Sequence, residues 1–165
     1  MPLRSDWSES RCPIARSLDV VGDPWLLLIL RNAFTGTRRY EGFRDELGIA
    51  DNVLSRRLAA MVEAGLLRQV PYRGARRTHH EYELTEAGAD LLPVVHALAE
   101  WGNKHTSGPG PLEVVHRACG RVSATTGTCS HCGGRMGAGD VAWSRPWLSA
   151  EPTPLTGAGS EPPGT

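Results

Sequence analysis

The run from Gly48 to Leu67 limits this chain more than any other. At about 100° per residue, Leu54, Leu58, Met61, Val62 and Gly65 share one side of a helix. Asn52, Ser55, Arg56 and Ala59 share the other, with Arg57 on a flank. The first face is apolar enough to be buried, and the second is small and polar apart from one long guanidinium. Such a face suits a major groove, where arginine reads guanine bidentately, asparagine reads adenine, and small neighbours permit close approach. Taken alone, the pattern is that of an ordinary amphipathic helix with a solvated face. The flanking segments change the reading.

Upstream, Tyr40, Phe43 and Leu47 recur at helical spacing, and a brief turn separates them from the run above. That is the outline of a helix-turn-helix. Downstream, Leu67 to Tyr72 and Thr78 to Leu84 read as strands around the basic tip Arg73-Gly74-Ala75-Arg76-Arg77. A helix-turn-helix followed by a basic-tipped hairpin is a winged helix. Cys12-Pro13, Gly22 to Trp25, Leu27 to Arg31, Arg38-Arg39-Tyr40, Gly48-Ile49, Val53 to Leu58, Gly65-Leu66 and Glu81 to Gly88 follow in order. Through these blocks, over roughly residues 11 to 104, the chain resembles the HxlR family of MarR-like bacterial transcriptional regulators.

The resemblance implies an α+β, mainly helical fold, with a winged helix-turn-helix domain over 11–105. It implies a homodimer built on the N-terminal helix and a long C-terminal helix over 85–104. It also implies sequence-specific binding of double-stranded DNA at a palindromic operator, as a regulator of repressor type, possessing no enzymatic activity. One departure is Ala50, where the family places a serine cap; Asp51 is expected to cap one residue later.

The formal net charge is zero and does not by itself suggest a nucleic-acid partner. Its distribution does. From Arg38 to Arg77 nine arginines face five acids, a local excess of four positive charges of the kind phosphate contacts require. We assign base reading to Asn52, Ser55 and Arg56, and phosphate or minor-groove contacts to Arg38, Arg39, Arg57, Arg73, Arg76 and Arg77. The longest apolar run, Trp25 to Leu30, is too short to span a bilayer, and Met1 to Trp7 lacks the apolar core of a signal peptide. A cytoplasmic location follows as an expectation, so the four cysteines point to metal or redox chemistry before disulfides.

In chain order, residues 1–10 are polar and expected to be flexible. Cys12 caps a helix with Pro13 at its first position, and Gly22 ends it. Asp23 and Pro24 open the next helix, which is apolar all round and therefore core. Thr85 caps the last helix of the domain, where Pro93 predicts a kink or break. Beyond Trp101 lie twelve of the nineteen glycines and seven of the twelve prolines, so 106–111 reads as a linker and 149–165 as a disordered tail.

Between them, over 112–148, stand His116-Arg117-Ala118-Cys119-Gly120 and Cys129-Ser130-His131-Cys132-Gly133. Each is a knuckle of two soft ligands spaced by two residues, then a glycine. Together His116, Cys119, Cys129 and Cys132 form a complete tetrahedral set for a structural zinc, in a small ribbon-like extension. The residues between Cys119 and Cys129 are expected to form a short hairpin, and His131 to be exposed. Cys12, at a helix N-terminus near Arg11 and Arg16, is a candidate redox-sensing thiol, and several relatives in the family sense oxidants at this position. The competing reading is a zinc-knuckle interaction module whose DNA face is vestigial. An enzyme built on Cys12 is disfavoured because no paired histidine and carboxylate accompany it.

Overall fold

The computed structural model describes residues 6–73, 78–124 and 127–159. Four helices come first: α1 (Pro13–Val21), α2 (Pro24–Phe34), α3 (Tyr40–Leu47) and α4 (Asp51–Glu63). Asp23 caps α2 by accepting from the Trp25 amide at 2.9 Å, as its sequence neighbours imply. The antiparallel strands β1 (Leu67–Arg73) and β2 (Thr78–Leu84) follow, in register from Leu67 opposite Leu84 to Arg73 opposite Thr78. The fold is the expected α+β winged helix. Ile29, Leu30, Phe34, Phe43, Leu54, Leu58 and Met61 are fully enclosed at its centre.

The C-terminal helix is broken, as Pro93 requires. α5 (Glu86–Ala89) stops short, and α6 (Leu92–His105) begins anew with the proline in its first turn, where no amide donor is needed. The helix expected over 85–104, with a kink or break at Pro93, is therefore two helices. Thr85 does cap, accepting from the Gly88 amide at 3.1 Å.

The chain after α6 departs most from its sequence reading. A four-stranded antiparallel sheet forms in the order β4 (Arg121–Val122), β3 (Glu113–His116), β5 (Val141–Ser144) and β6 (Thr153–Pro154). The segment leading into it is pinned to α6, because Asn103 and Leu112 exchange hydrogen bonds of 2.7 and 2.9 Å. Trp143 on β5 is fully buried and donates its indole N–H to His96 Nε2 on α6 at 2.9 Å. Its ring also meets Phe34 of α2 edge-on, with centroids 6.3 Å apart.

The tail expected to be disordered from residue 149 is ordered over its described part. Thr153 and Pro154 add a strand to β5, and Leu155 is buried. Thr156 closes on the end of α2, its amide donating to Phe34 O at 2.8 Å and its hydroxyl to Ala33 O at 3.0 Å. Phe34 O is a helix-end carbonyl that the helix itself does not satisfy, a demand composition cannot reveal. One hydrophobic core accordingly runs from Val21 through Trp143 to Leu155, joining the winged helix to the sheet.

Candidate functional site

Helix α4 has the two faces its periodicity predicts. Leu54, Leu58 and Met61 are buried, whereas Asn52, Ser55, Arg56 and Ala59 are exposed. The helix begins on an uncapped Ala50, and Asp51 does not take over as cap. The Asp51 side chain serves another partner, since Tyr40 Oη lies 2.9 Å from Asp51 O and 3.1 Å from Asp51 Oδ1. The same phenol is 3.1 Å from Ser55 Oγ. Arg56 folds back on the helix, its Nε donating to Asn52 O at 3.1 Å, while its side chain stays exposed.

The remaining arginines separate into two groups. Arg38 pairs with Glu81 at 2.7 Å and with Glu83, and its side chain is only 16% exposed. Arg68 closes on Glu83 from the neighbouring strand at 2.6 Å. Arg38 therefore ties the entry of α3 to the wing, so the guanidinium expected to hold phosphate is already engaged by two acids. Arg57 pairs with Asp23 Oδ2 at 2.7 Å and braces α4 against the start of α2. Both pairings have one cause: acids distant in sequence stand next to these guanidiniums once the helices pack.

Arg39 is exposed and lies over the Tyr72 ring at 4.7 Å, and Tyr72 stacks on His79 at 5.5 Å. That stack places one guanidinium at the root of the wing. Arg73 ends β1, and Arg76 and Arg77 lie outside the described residues. The sequence reading missed Tyr40 as a partner of the reading face. The available signal was a tyrosine opening the helix that crosses behind it.

The second site is the knuckle pair. The first knuckle turns β3 into β4, so the hairpin straddles it instead of lying between Cys119 and Cys129 as expected. The second is closed by a bridge between Thr128 and Arg135. Both make one turn: the Gly120 amide donates to His116 O at 2.8 Å and the Gly133 amide to Cys129 O at 2.9 Å. Gly120 and Gly133 take φ of 67° and 71°, which side chains avoid.

The donor atoms of His116, Cys119, Cys129 and Cys132 all lie within 4.8 Å of one another. His116 Nδ1 is 3.4 Å from Cys119 Sγ and 3.2 Å from Cys132 Sγ, and Cys119 Sγ is 3.7 Å from Cys129 Sγ. A tetrahedral zinc with normal bond lengths has S···S edges of about 3.8 Å and S···N edges of about 3.5 Å. The observed edges fit that solid. Gly134 backs it closely, since a Cβ there would stand 2.8 Å from His116 Cε1.

Two of the thiols are shifted in opposite directions. Chiefly through the His131 amide, hydrogen bonding lowers the Cys129 thiol to about 6. Cys119 is raised, because desolvation and the neighbouring thiols outweigh the lowering by the Arg121 amide. His131 itself is exposed and hydrogen-bonded to Val122 O at 3.0 Å. Four protein ligands would leave an ion no open position, so the arrangement suits structure and not catalysis.

Cys12 is exposed at the N-terminus of α1, and its side chain makes no capping bond. Among the described residues, no helix is long and apolar enough to cross a membrane.

Comparison with known proteins matches residues 20–108 to the family described as HxlR-like helix-turn-helix. An uncharacterised helix-turn-helix transcriptional regulator of Mycobacterium tuberculosis, Rv3095, is 41% identical over 130 residues, covering 78% of this chain and 82% of its own. The crystal structure of a candidate transcription factor, PA1607, superposes with TM-score 0.67 at 34% identity, covering 89% of this chain and all of its own. Coverage of that extent necessarily runs past the winged helix into the C-terminal sheet. The redox regulator HypR, in its oxidised form, aligns at 28% identity and TM-score 0.54 over 59% of this chain and all of its own. These relatives are regulators by name and not enzymes, in keeping with the non-enzymatic expectation.

Proposed function

The chain belongs to the HxlR family of helix-turn-helix transcriptional regulators, and from that premise we propose a homodimeric repressor that reads a palindromic operator. The observation that carries the proposal is the exposed Asn52, Ser55, Arg56 and Ala59 face of α4, opposite the buried Leu54, Leu58 and Met61. A helix held by one face and bare on the other, beside a wing, can enter a major groove. Asn52, Ser55 and Arg56 read base edges. Arg39 and the wing-tip Arg73, Arg76 and Arg77 hold phosphates, with Arg57 at the flank.

Dimerisation is supported by apolar side chains left in water on two helices. Ile14 and Leu18 on α1 are 70% and 48% exposed, and Leu98 and Trp101 on α6 are 50% and 61%. Surface of that kind is a normal mark of an interaction site. The protein acts where DNA is found, in the cytoplasm. His116 Nδ1 and the sulfurs of Cys119, Cys129 and Cys132 hold one structural zinc, which when bound supplies cross-links between the two knuckles. The likeness to HypR, a redox regulator by name, supports a sensing role for exposed Cys12.

The experiment is binding to duplexes selected from a random pool, measured across salt concentration. A selected palindrome bound far more tightly than random DNA, with Arg56→Ala losing about 1–3 kcal/mol on the palindrome alone, is the expected result. Equal binding to all duplexes would refute sequence reading and favour the interaction-module alternative.

A further inference from the structure

We propose that Tyr40 fixes what Ser55 can read, by accepting a hydrogen bond from the serine hydroxyl and leaving Ser55 Oγ to face DNA as an acceptor. The inference rests on the DNA-binding reading above. Its ground is the phenol at the start of α3, which touches three groups of α4 at once: Asp51 O at 2.9 Å, Asp51 Oδ1 at 3.1 Å and Ser55 Oγ at 3.1 Å. A backbone carbonyl has no proton to give, so the single phenolic hydrogen goes to Asp51. The contact with Ser55 is then a hydrogen bond only if the serine donates. The relay runs Ser55 to Tyr40 to Asp51, each bond polarising the next.

A serine hydroxyl ordinarily reads either donors or acceptors, because its hydrogen rotates to suit. With that hydrogen committed to Tyr40, Ser55 retains lone pairs alone. In the major groove the exocyclic donors are the amino groups of adenine and cytosine, whereas guanine and thymine present oxygens at the corresponding edge. Ser55 therefore favours an amino base over a keto base on the strand it contacts. This partition differs from purine against pyrimidine and from A·T against G·C. Ser55 is the reader and Tyr40 its positioning residue.

The test compares wild type, Tyr40→Phe and Ser55→Ala on a duplex selected by the wild type, substituting every base pair in turn. At the pair whose preference vanishes in Ser55→Ala, wild type favours A or C over G or T on one strand by about two- to tenfold. Tyr40→Phe accepts all four bases there, while its salt slope and its affinity for random DNA stay at wild-type values. A second measurement needs no variant: deleting the amino group from the favoured base weakens wild-type binding by the same factor. Unchanged selectivity in Tyr40→Phe, a purine–pyrimidine partition, or indifference to the amino deletion overturns the relay. Wild type that binds no duplex overturns the DNA-binding reading itself, a distinct result.

Discussion

Replacing Trp143 by phenylalanine probes whether the C-terminal sheet and the winged helix are one folding unit. The indole is fully buried, donates to His96 Nε2 at 2.9 Å and meets the Phe34 ring edge-on. Phenylalanine keeps part of the ring contact and removes the donor. Withdrawing a donor from a buried acceptor costs about 1–3 kcal/mol. The smaller ring leaves a void costing about 1 kcal/mol more. The sum, about 2–4 kcal/mol, is a large part of the 5–15 kcal/mol typical of a domain.

The assay is urea denaturation of zinc-loaded protein, followed by far-ultraviolet circular dichroism and by metal release to a coloured chelator. Circular dichroism reports chiefly on α1 to α6, and metal release on the sheet. Both signals should move together to a lower midpoint with unchanged slope, since the exposed surface is the same. Metal leaving early while the helices melt at their wild-type midpoint would refute a shared core.

Other expectations follow from single contacts. Arg38→Ala removes the cation that Glu81 and Glu83 share, leaving Arg68 on Glu83 alone, and should cost about 1–2 kcal/mol, a partly exposed pair being worth less than a buried one. Its melting temperature should fall, while the salt slope of DNA binding stays the same; a flatter slope would restore Arg38 to the phosphate ligands. Purified protein should carry about one zinc per chain, and Cys129→Ser should abolish it; full retention in that variant would remove Cys129 from the ligand set. Diamide treatment should weaken operator binding in wild type and spare Cys12→Ser, with zinc content followed in parallel. Equal loss in both would clear Cys12, and earlier zinc loss would point to the knuckles.

Much of this architecture is legible locally. The 3.6-residue pattern of Leu54, Leu58 and Met61 is the core face of α4 because a helix has to bury such a stripe. Asp23-Pro24 and Thr85 mark helix starts through bonds that reach two or three residues along the chain. The two knuckles announce a ligand set because cysteine and histidine spaced by two residues, then glycine, already describe a turn around an ion. Pro93 breaks its helix through covalent geometry alone.

What local pattern left open depends on groups far apart in sequence meeting in space. The acids that engage Arg38 and Arg57, namely Glu81, Glu83 and Asp23, come beside them only when the chain folds. Asp51 reads as a cap until Tyr40 takes its oxygens. The segment from Ser149 looks too poor in apolar residues to fold. Yet Leu155 enters a core assembled by other elements, and Thr156 satisfies carbonyls more than a hundred residues away. Composition measures what a segment can bury by itself. The tertiary structure decides what it is offered.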